Sequence, residues 1–337
     1  MFHVKHCLIL RLQLFHVKHD ALLIGSFHVK HCLCETILFH VKHIITRIHT
    51  FSCKIHAKIC VKVLQSKGFR AIMFLDYLVE VYTYMGKIIS FCNQKGGVGK
   101  TTSAVNIAAS LGILGYKVLM IDLDPQGNAT SGAGIPKKTL KLTINDVLTA
   151  DVPMSDVIME TEFDNLDLVP TNIALAGAEF ELFQHENSEY RLKEALAPVL
   201  PNYDYVIIDC PPSLGMLTVN AMAASDGVVI PMQCEFYALE GLSQLMITVG
   251  RIKSHYNASL NVTGILITMY NQRLLLSQQV MSELRRHYAD KLLNPPISRS
   301  VKVSEAPGFG MPVYYHDKRN KGATEYLDCA KDLASRI

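Results

Sequence analysis

The chain has 337 residues, 49% of them hydrophobic and 19% charged, enough for a sizeable core in one or two domains. Its net charge of +3 is an average over two unlike parts: residues 1–84 hold 11 Lys/Arg against 4 Asp/Glu, and residues 85–337 hold 22 against 26. A whole-chain argument for nucleic-acid binding is thereby excluded, and any such contact in the second part needs a local basic patch. The nine cysteines show no paired CxxC spacing, so they read as reduced thiols. No apolar run reaches the roughly 18–20 residues of a membrane span. The expected setting is the cytoplasm.

The first 84 residues repeat FHVKH without error at 2–6, 15–19, 27–31 and 39–43, while the residues between the copies change. A packing repeat does the opposite: it keeps an apolar pattern over a longer unit and lets its surface vary. Two His per copy offer a metal-binding arm as one reading. The Lys between them, and the lack of residues to orient the ligands, suit a closed site poorly. The segment is expected not to form a domain.

From Met85 the pattern becomes that of an alternating α/β protein. "KIISFCNQ" reads as a buried strand, followed by a glycine-rich turn and a helix over 101–114. "KVLMIDLD" (117–124), "NLDLVP" (165–170), "YDYVIIDCPP" (203–212), "DGVVIPMQ" (226–233) and "VTGILITMYN" (262–271) supply further strands. Helices are expected at 238–255 and 274–290. Near-continuous apolar strands between helices specify a mainly parallel, doubly wound sheet covered on both faces. In such sheets ligands bind beyond the carboxyl ends of the strands.

The sharpest chemistry is "NQKGGVGKTT", 93–102. The ordinary phosphate-loop pattern wants Gly where Gln94 stands, so the strict pattern fails. The remainder is intact. Gly96, Gly97 and Gly99, with Val98 between them, let backbone N–H groups approach phosphate at a helix N-terminus. Lys100 supplies a cation for the β- and γ-phosphates and Thr101 a hydroxyl for magnesium, with Thr102 completing the helix start.

KGGVGKT with Lys95 ahead of the glycines resembles the deviant Walker A box of the ParA/MinD class of P-loop ATPases. The resemblance continues through "IDLDPQGNATSGAGI" (121–135), "DYVIIDCPPSLGMLTVNAM" (204–222), "PMQCEFYALEGL" (231–242) and "SVKVSEAPGFG" (300–310), and is nearest to the Soj-type ParA proteins. It covers essentially all of 85–337. It implies a slow ATPase using ATP and Mg²⁺. Lys95 would reach a partner subunit's phosphates in an ATP-dependent homodimer, and Asp124 would position the attacking water. Asp122 would play a supporting part, and Asp209 would hold magnesium through water. Asn271 stands where an aspartate is expected, in a region that flanks the nucleobase. Arg273, Arg299 and Lys302 match positions that bind DNA non-specifically, and a ParB-type centromere-binding protein would stimulate hydrolysis.

A MinD-like membrane ATPase is the alternative reading. It needs a basic amphipathic carboxyl-terminal helix, whereas "GATEYLDCAKDLASRI" carries Glu325, Asp328 and Asp332 and reads as a packed helix. The resemblance also offers an account of FHVKH. Its codons can be written TTT CAC GTG AAA CAY, which contains a palindrome resembling the parS sites bound by ParB proteins. On that reading the identity belongs to DNA upstream of the gene, and translation begins at Met85.

Overall fold

The computed structural model describes residues 86–337. Residues 1–84, with the FHVKH copies, and Met85 lie outside the described residues. Within the described part, β1 (Lys87–Phe91), β2 (Val118–Asp122), β3 (Met159–Glu160), β4 (Leu166–Val169), β5 (Tyr205–Asp209), β6 (Gly227–Met232) and β7 (Asn261–Ile267) form one sheet in the order β3-β4-β2-β5-β1-β6-β7. Every pairing is parallel except β3 with β4. The helices are α1 (Lys100–Ile113), α2 (Asn128–Gly132), α3 (Ile144–Thr149), α4 (Ala178–Leu182), α5 (Arg191–Leu196) and α6 (Met216–Ala224). They continue with α7 (Ala238–His255), α8 (Leu275–Tyr288), α9 (Val301–Glu305), α10 (Val313–His316) and α11 (Lys321–Arg336).

The central strands are apolar throughout because both of their faces are covered. Successive residues point to opposite sides. Ile89, Phe91, Met120, Ile207, Val229 and Leu266 therefore pack with α1, α10 and α11, while Ile88, Leu119, Ile121, Val206, Ile208 and Ile230 pack with α3 to α8. α1 lies so deep that every residue from Ser103 to Gly112 is buried. The expected doubly wound sheet is the observed one, and α7 has the anticipated bounds.

Two features have no counterpart in the sequence reading. β3 is a two-residue antiparallel edge strand with both residues exposed. The stretch 291–298 runs along β7: Ile265 N donates to Lys291 O at 2.7 Å, Ile297 N to Ile267 O at 2.8 Å, and Tyr270 N to Ile297 O at 2.8 Å. Pro295 and Pro296 interrupt its ladder, since proline has no N–H to give. This segment carries Ser298 and Arg299 to the carboxyl end of the sheet.

α11 is a packed helix, as expected from its acids. The Tyr326 hydroxyl lies 3.2 Å from Ser103 Oγ in α1, and Tyr326, Cys329, Ala330 and Leu333 are all buried. No described helix is long and apolar enough to cross a membrane. Leu333→Ala removes a fully buried side chain from this seam and is expected to cost about 2–5 kcal/mol in urea denaturation. A change near zero would mean that α11 does not pack on α1.

Candidate nucleotide-binding site

The register of three strands assembles the site. Phe91 pairs with Asp209 across β1 and β5, and Asp209 pairs with Asp122 across β5 and β2. The chain leaves β1 for a loop, 92–99, that opens directly into α1. Gly97 and Gly99 have φ of 73° and 78°, the left-handed region where a Cβ is costly, and Gly99 is the residue that starts α1. Side chains fasten the loop from the neighbouring strand ends. Asn93 Nδ2 donates to Pro231 O at 2.7 Å, and Asn93 Oδ1 accepts from Lys95 N at 3.0 Å. Gln233 Nε2 donates to Gly97 O at 2.7 Å, and Thr268 Oγ1 donates to Val98 O at 2.7 Å. With these carbonyls occupied, the N–H groups of the loop and of the first turn of α1 are what an anion meets.

The acids divide by their partners. Asp122 is fully buried. Its Oδ2 accepts from both the N–H and the hydroxyl of Thr130 at 2.7 Å, and its Oδ1 accepts from Asp124 N at 3.2 Å. Burial raises its pKa, and the Thr130 donors oppose that rise. Thr130 Oγ1 also accepts from Thr171 N at 3.0 Å, so one carboxylate ties β2, α2 and the loop after β4 together. Asp124 is 6% exposed; its Oδ1 accepts from Gln126 N at 3.0 Å, which leaves Oδ2 available.

Asp209 differs from both. It is fully buried, and neither carboxylate oxygen has a hydrogen-bond partner among the described residues. Burial pushes its pKa upward; the positive charge of Lys100 and, more weakly, the neighbouring Thr101 hydroxyl oppose that, and the charge of Asp122 adds to it. An unpartnered buried carboxylate is costly, and a magnesium ion, directly or through a bound water, is the kind of partner it lacks. Among the described residues no three His, Cys, Asp or Glu converge as a metal cage. Magnesium bound with a nucleotide does not require one, because it takes one or two protein oxygens and fills its shell with phosphate and water. Asp209 and the Thr101 hydroxyl fit that requirement.

Thr101 and Thr102 open onto a cavity of about 410 Å³ bounded also by Val105, Asn128, Pro307 and Met311. Asn271 is exposed and lines a separate cavity of about 290 Å³ with Tyr270, Gln272, Arg273, Ser298 and Lys321. The structure thus brings the loop, Lys100, Asp122, Asp124 and Asp209 together and places Asn271 in a separate hollow. Lys95 is half exposed and forms an ion pair with Glu235, just beyond β6.

Arg273, Arg299 and Lys302 are all exposed. The bridge between Tyr270 and Ser298 brings the segments carrying Arg273 and Arg299 side by side, and Lys302 pairs with Glu305 at 3.0 Å. Lys321, at the start of α11, joins this basic edge, and its Nζ donates to Ser298 Oγ at 3.0 Å. Sequence reading missed it, although "DKRNKG" (317–322) is a visible cluster of charge. Thr130 and Glu235 were missed too; both act on residues far from them in the chain, so local spacing carries no signal.

A loop of this geometry with a lysine ahead of its glycines defines a P-loop nucleotide hydrolase. The chain matches the AAA domain family over residues 86–262. It is 52% identical over 251 residues to the sporulation initiation inhibitor protein Soj of Bacillus subtilis, covering 74% of this chain and 99% of that protein. It is 45% identical over 252 residues to the chromosome-partitioning ATPase Soj of Treponema pallidum, covering 75% and 98%. A structure of cobyrinic acid a,c-diamide synthase from Mycobacterium smegmatis with bound ADP and magnesium is similar at a TM-score of 0.65 and 37% identity, over 73% of this chain and 93% of that one. The chain belongs to the Soj/ParA family of chromosome-partitioning ATPases.

Thr130→Val keeps the shape but removes a hydroxyl from the buried Asp122 and from Thr171 N. It is expected to destabilise the protein by about 1–3 kcal/mol and to lower ATP turnover through Asp124. Unchanged stability in chemical denaturation would contradict the tether.

Proposed function

We propose that the chain is a partitioning ATPase that dimerises on ATP, binds DNA non-specifically as the dimer, and is released when a ParB-type centromere-binding protein stimulates hydrolysis. The observation that carries the nucleotide chemistry is the buried, unpartnered Asp209 facing the loop that ends in Lys100. Lys100 and the loop N–H groups hold the β- and γ-phosphates, where their charge acts with little water to screen it. Magnesium, when bound, neutralises charge developing on the phosphates, and Asp209 and Thr101 would hold it. Asp124 orients the attacking water with the oxygen that Gln126 leaves free. Lys95 must leave Glu235 to reach across to a partner subunit, so assembly and the electrostatics of the site are coupled. The partitioning names belong to relatives at 45–52% identity, whereas the diamide synthase stands at 37%. The former therefore guide the reading.

Arg273, Arg299 and Lys302 form the DNA-facing edge, and the site of action is the nucleoid in the cytoplasm. A membrane role is the less favoured reading, because α11 spends its apolar face on α1. Vesicle and DNA co-sedimentation with ATP separates the two. We also propose that residues 1–84 reflect DNA sequence selected outside the ATPase, with Met85 as the start and 85–337 as the ATPase domain. The codons test this: palindromic codons in the FHVKH copies support it, and scattered synonymous codons overturn it.

Asp124→Ala is expected to keep MgATP binding and to lose turnover by about 10²-fold or more; full turnover would remove Asp124 from the chemistry. Arg273→Ala is expected to keep ATP binding, weaken DNA binding equally for all sequences, and reduce the log–log salt slope by about 0.9. A slope and affinity equal to wild type would take Arg273 off the DNA surface.

A further inference from the structure

The carboxyl ends of β1 and β5 carry a pair of thiols that the nucleotide chemistry does not use. The register that aligns Phe91 with Asp209 sets the next residues, Cys92 and Cys210, side by side, and Cys210 N donates to Phe91 O at 3.3 Å. Their sulfurs are 3.1 Å apart, with the Cys92 thiol donating to Cys210 Sγ. Neighbouring strands in a sheet lie about 4.8 Å apart, inside the Cα separation of about 4.4–6.8 Å that a disulfide spans. The backbone therefore accepts a bond here, and the sulfurs need only close from contact to about 2.0 Å. All four described cysteines are free thiols in the structure, the other two being Cys234 beyond β6 and Cys329 in α11.

We propose that Cys92 and Cys210 are a modification site, forming a reversible disulfide that disables the nucleotide loop. The oxidant is a hydroperoxide, with hydrogen peroxide as the simplest case. One sulfur, as thiolate, attacks the peroxide O–O bond, becomes a sulfenic acid, and releases hydroxide, which takes up the thiol proton as water. The second sulfur displaces the sulfenic hydroxyl, which leaves with the second thiol proton as another water. Two thiols and one hydrogen peroxide give one disulfide and two waters. Both sulfurs are oxidised and both peroxide oxygens are reduced.

Burial sets the gate. Cys92 is 1% exposed and Cys210 is fully buried. Peroxide reaches the pair when loop 92–99 opens, and a nucleotide bound to that loop keeps it shut. The consequence follows from chain position. Asp209 immediately precedes Cys210, and Asn93, which ties the loop to Pro231 and to Lys95 N, immediately follows Cys92. Drawing the two strand ends together by part of an ångström moves the carboxylate and the loop at once, and a misplacement of about 1 Å in a catalytic site can cost about 10²-fold in rate.

The experiment treats the full chain with hydrogen peroxide, with and without MgATP, alkylates the remaining thiols after denaturation, and maps peptides by mass spectrometry. The expected result is a Cys92–Cys210 linked peptide that forms faster without nucleotide and disappears with dithiothreitol. ATP turnover should fall by up to about 10²-fold as the link forms and return on reduction, while Cys92→Ala keeps its turnover under the same peroxide. Recovery of wild type on reduction serves as the internal control if Cys92→Ala folds poorly. Both cysteines remaining alkylatable, or a linked fraction that turns over at the reduced rate, would overturn the proposal. The effect on turnover rests on the ATPase reading; the linked peptide does not, so failure of either can be told apart.

Discussion

The structure is organised around one carboxylate placed where it has no partner. Asp209 ends the fully buried strand β5, excluded from water and without a hydrogen bond among the described residues. A buried charge is tolerated only when something compensates it, and within the chain the compensation is the nearby charge of Lys100 with a smaller contribution from the Thr101 hydroxyl. Everything that makes the site buried makes this mismatch worse. The strands on either side are apolar because helices cover both faces, and the same covering removes water from the ends of β5 and β2. What the fold withholds from Asp209, magnesium bound with a nucleotide can supply.

The neighbouring acids show that the mismatch is selective. Asp122 aligns with Asp209 across β2 and β5 and is equally buried, yet every one of its oxygens is bonded, to Thr130 and to Asp124 N. It acts as a structural tie. Asp124, two residues on, has one oxygen engaged and one open. Three carboxylates within a few residues of two strand ends thus have three states of satisfaction, which correspond to anchoring a turn, orienting a water and meeting a metal.

Much of this was legible in the sequence, for identifiable reasons. Continuous apolar runs marked β1, β2, β5, β6 and β7, and glycine spacing marked the loop. The left-handed φ of Gly97 and Gly99 is the physical content of that spacing. β3 was illegible because two exposed residues carry no pattern. The stretch along β7 was hidden by Pro295 and Pro296, which argue against a strand while leaving room for isolated bridges. Contacts between distant residues were beyond local reading altogether: Thr130 with Asp122, Glu235 with Lys95, and Lys321 beside Arg273. Each depends on topology, since it is the order of strands that brings those loops to one end of the sheet.

The central claim is that Asp209 is held at a cost that magnesium with nucleotide relieves, and thermal unfolding of Asp209→Asn tests it directly. The nucleotide-free variant should melt at or above the wild-type temperature, because a neutral amide replaces a buried acid. The increment that magnesium adds to stabilisation by ATP should be lost. A variant that melts well below wild type without nucleotide, yet keeps the full magnesium increment, would contradict the account.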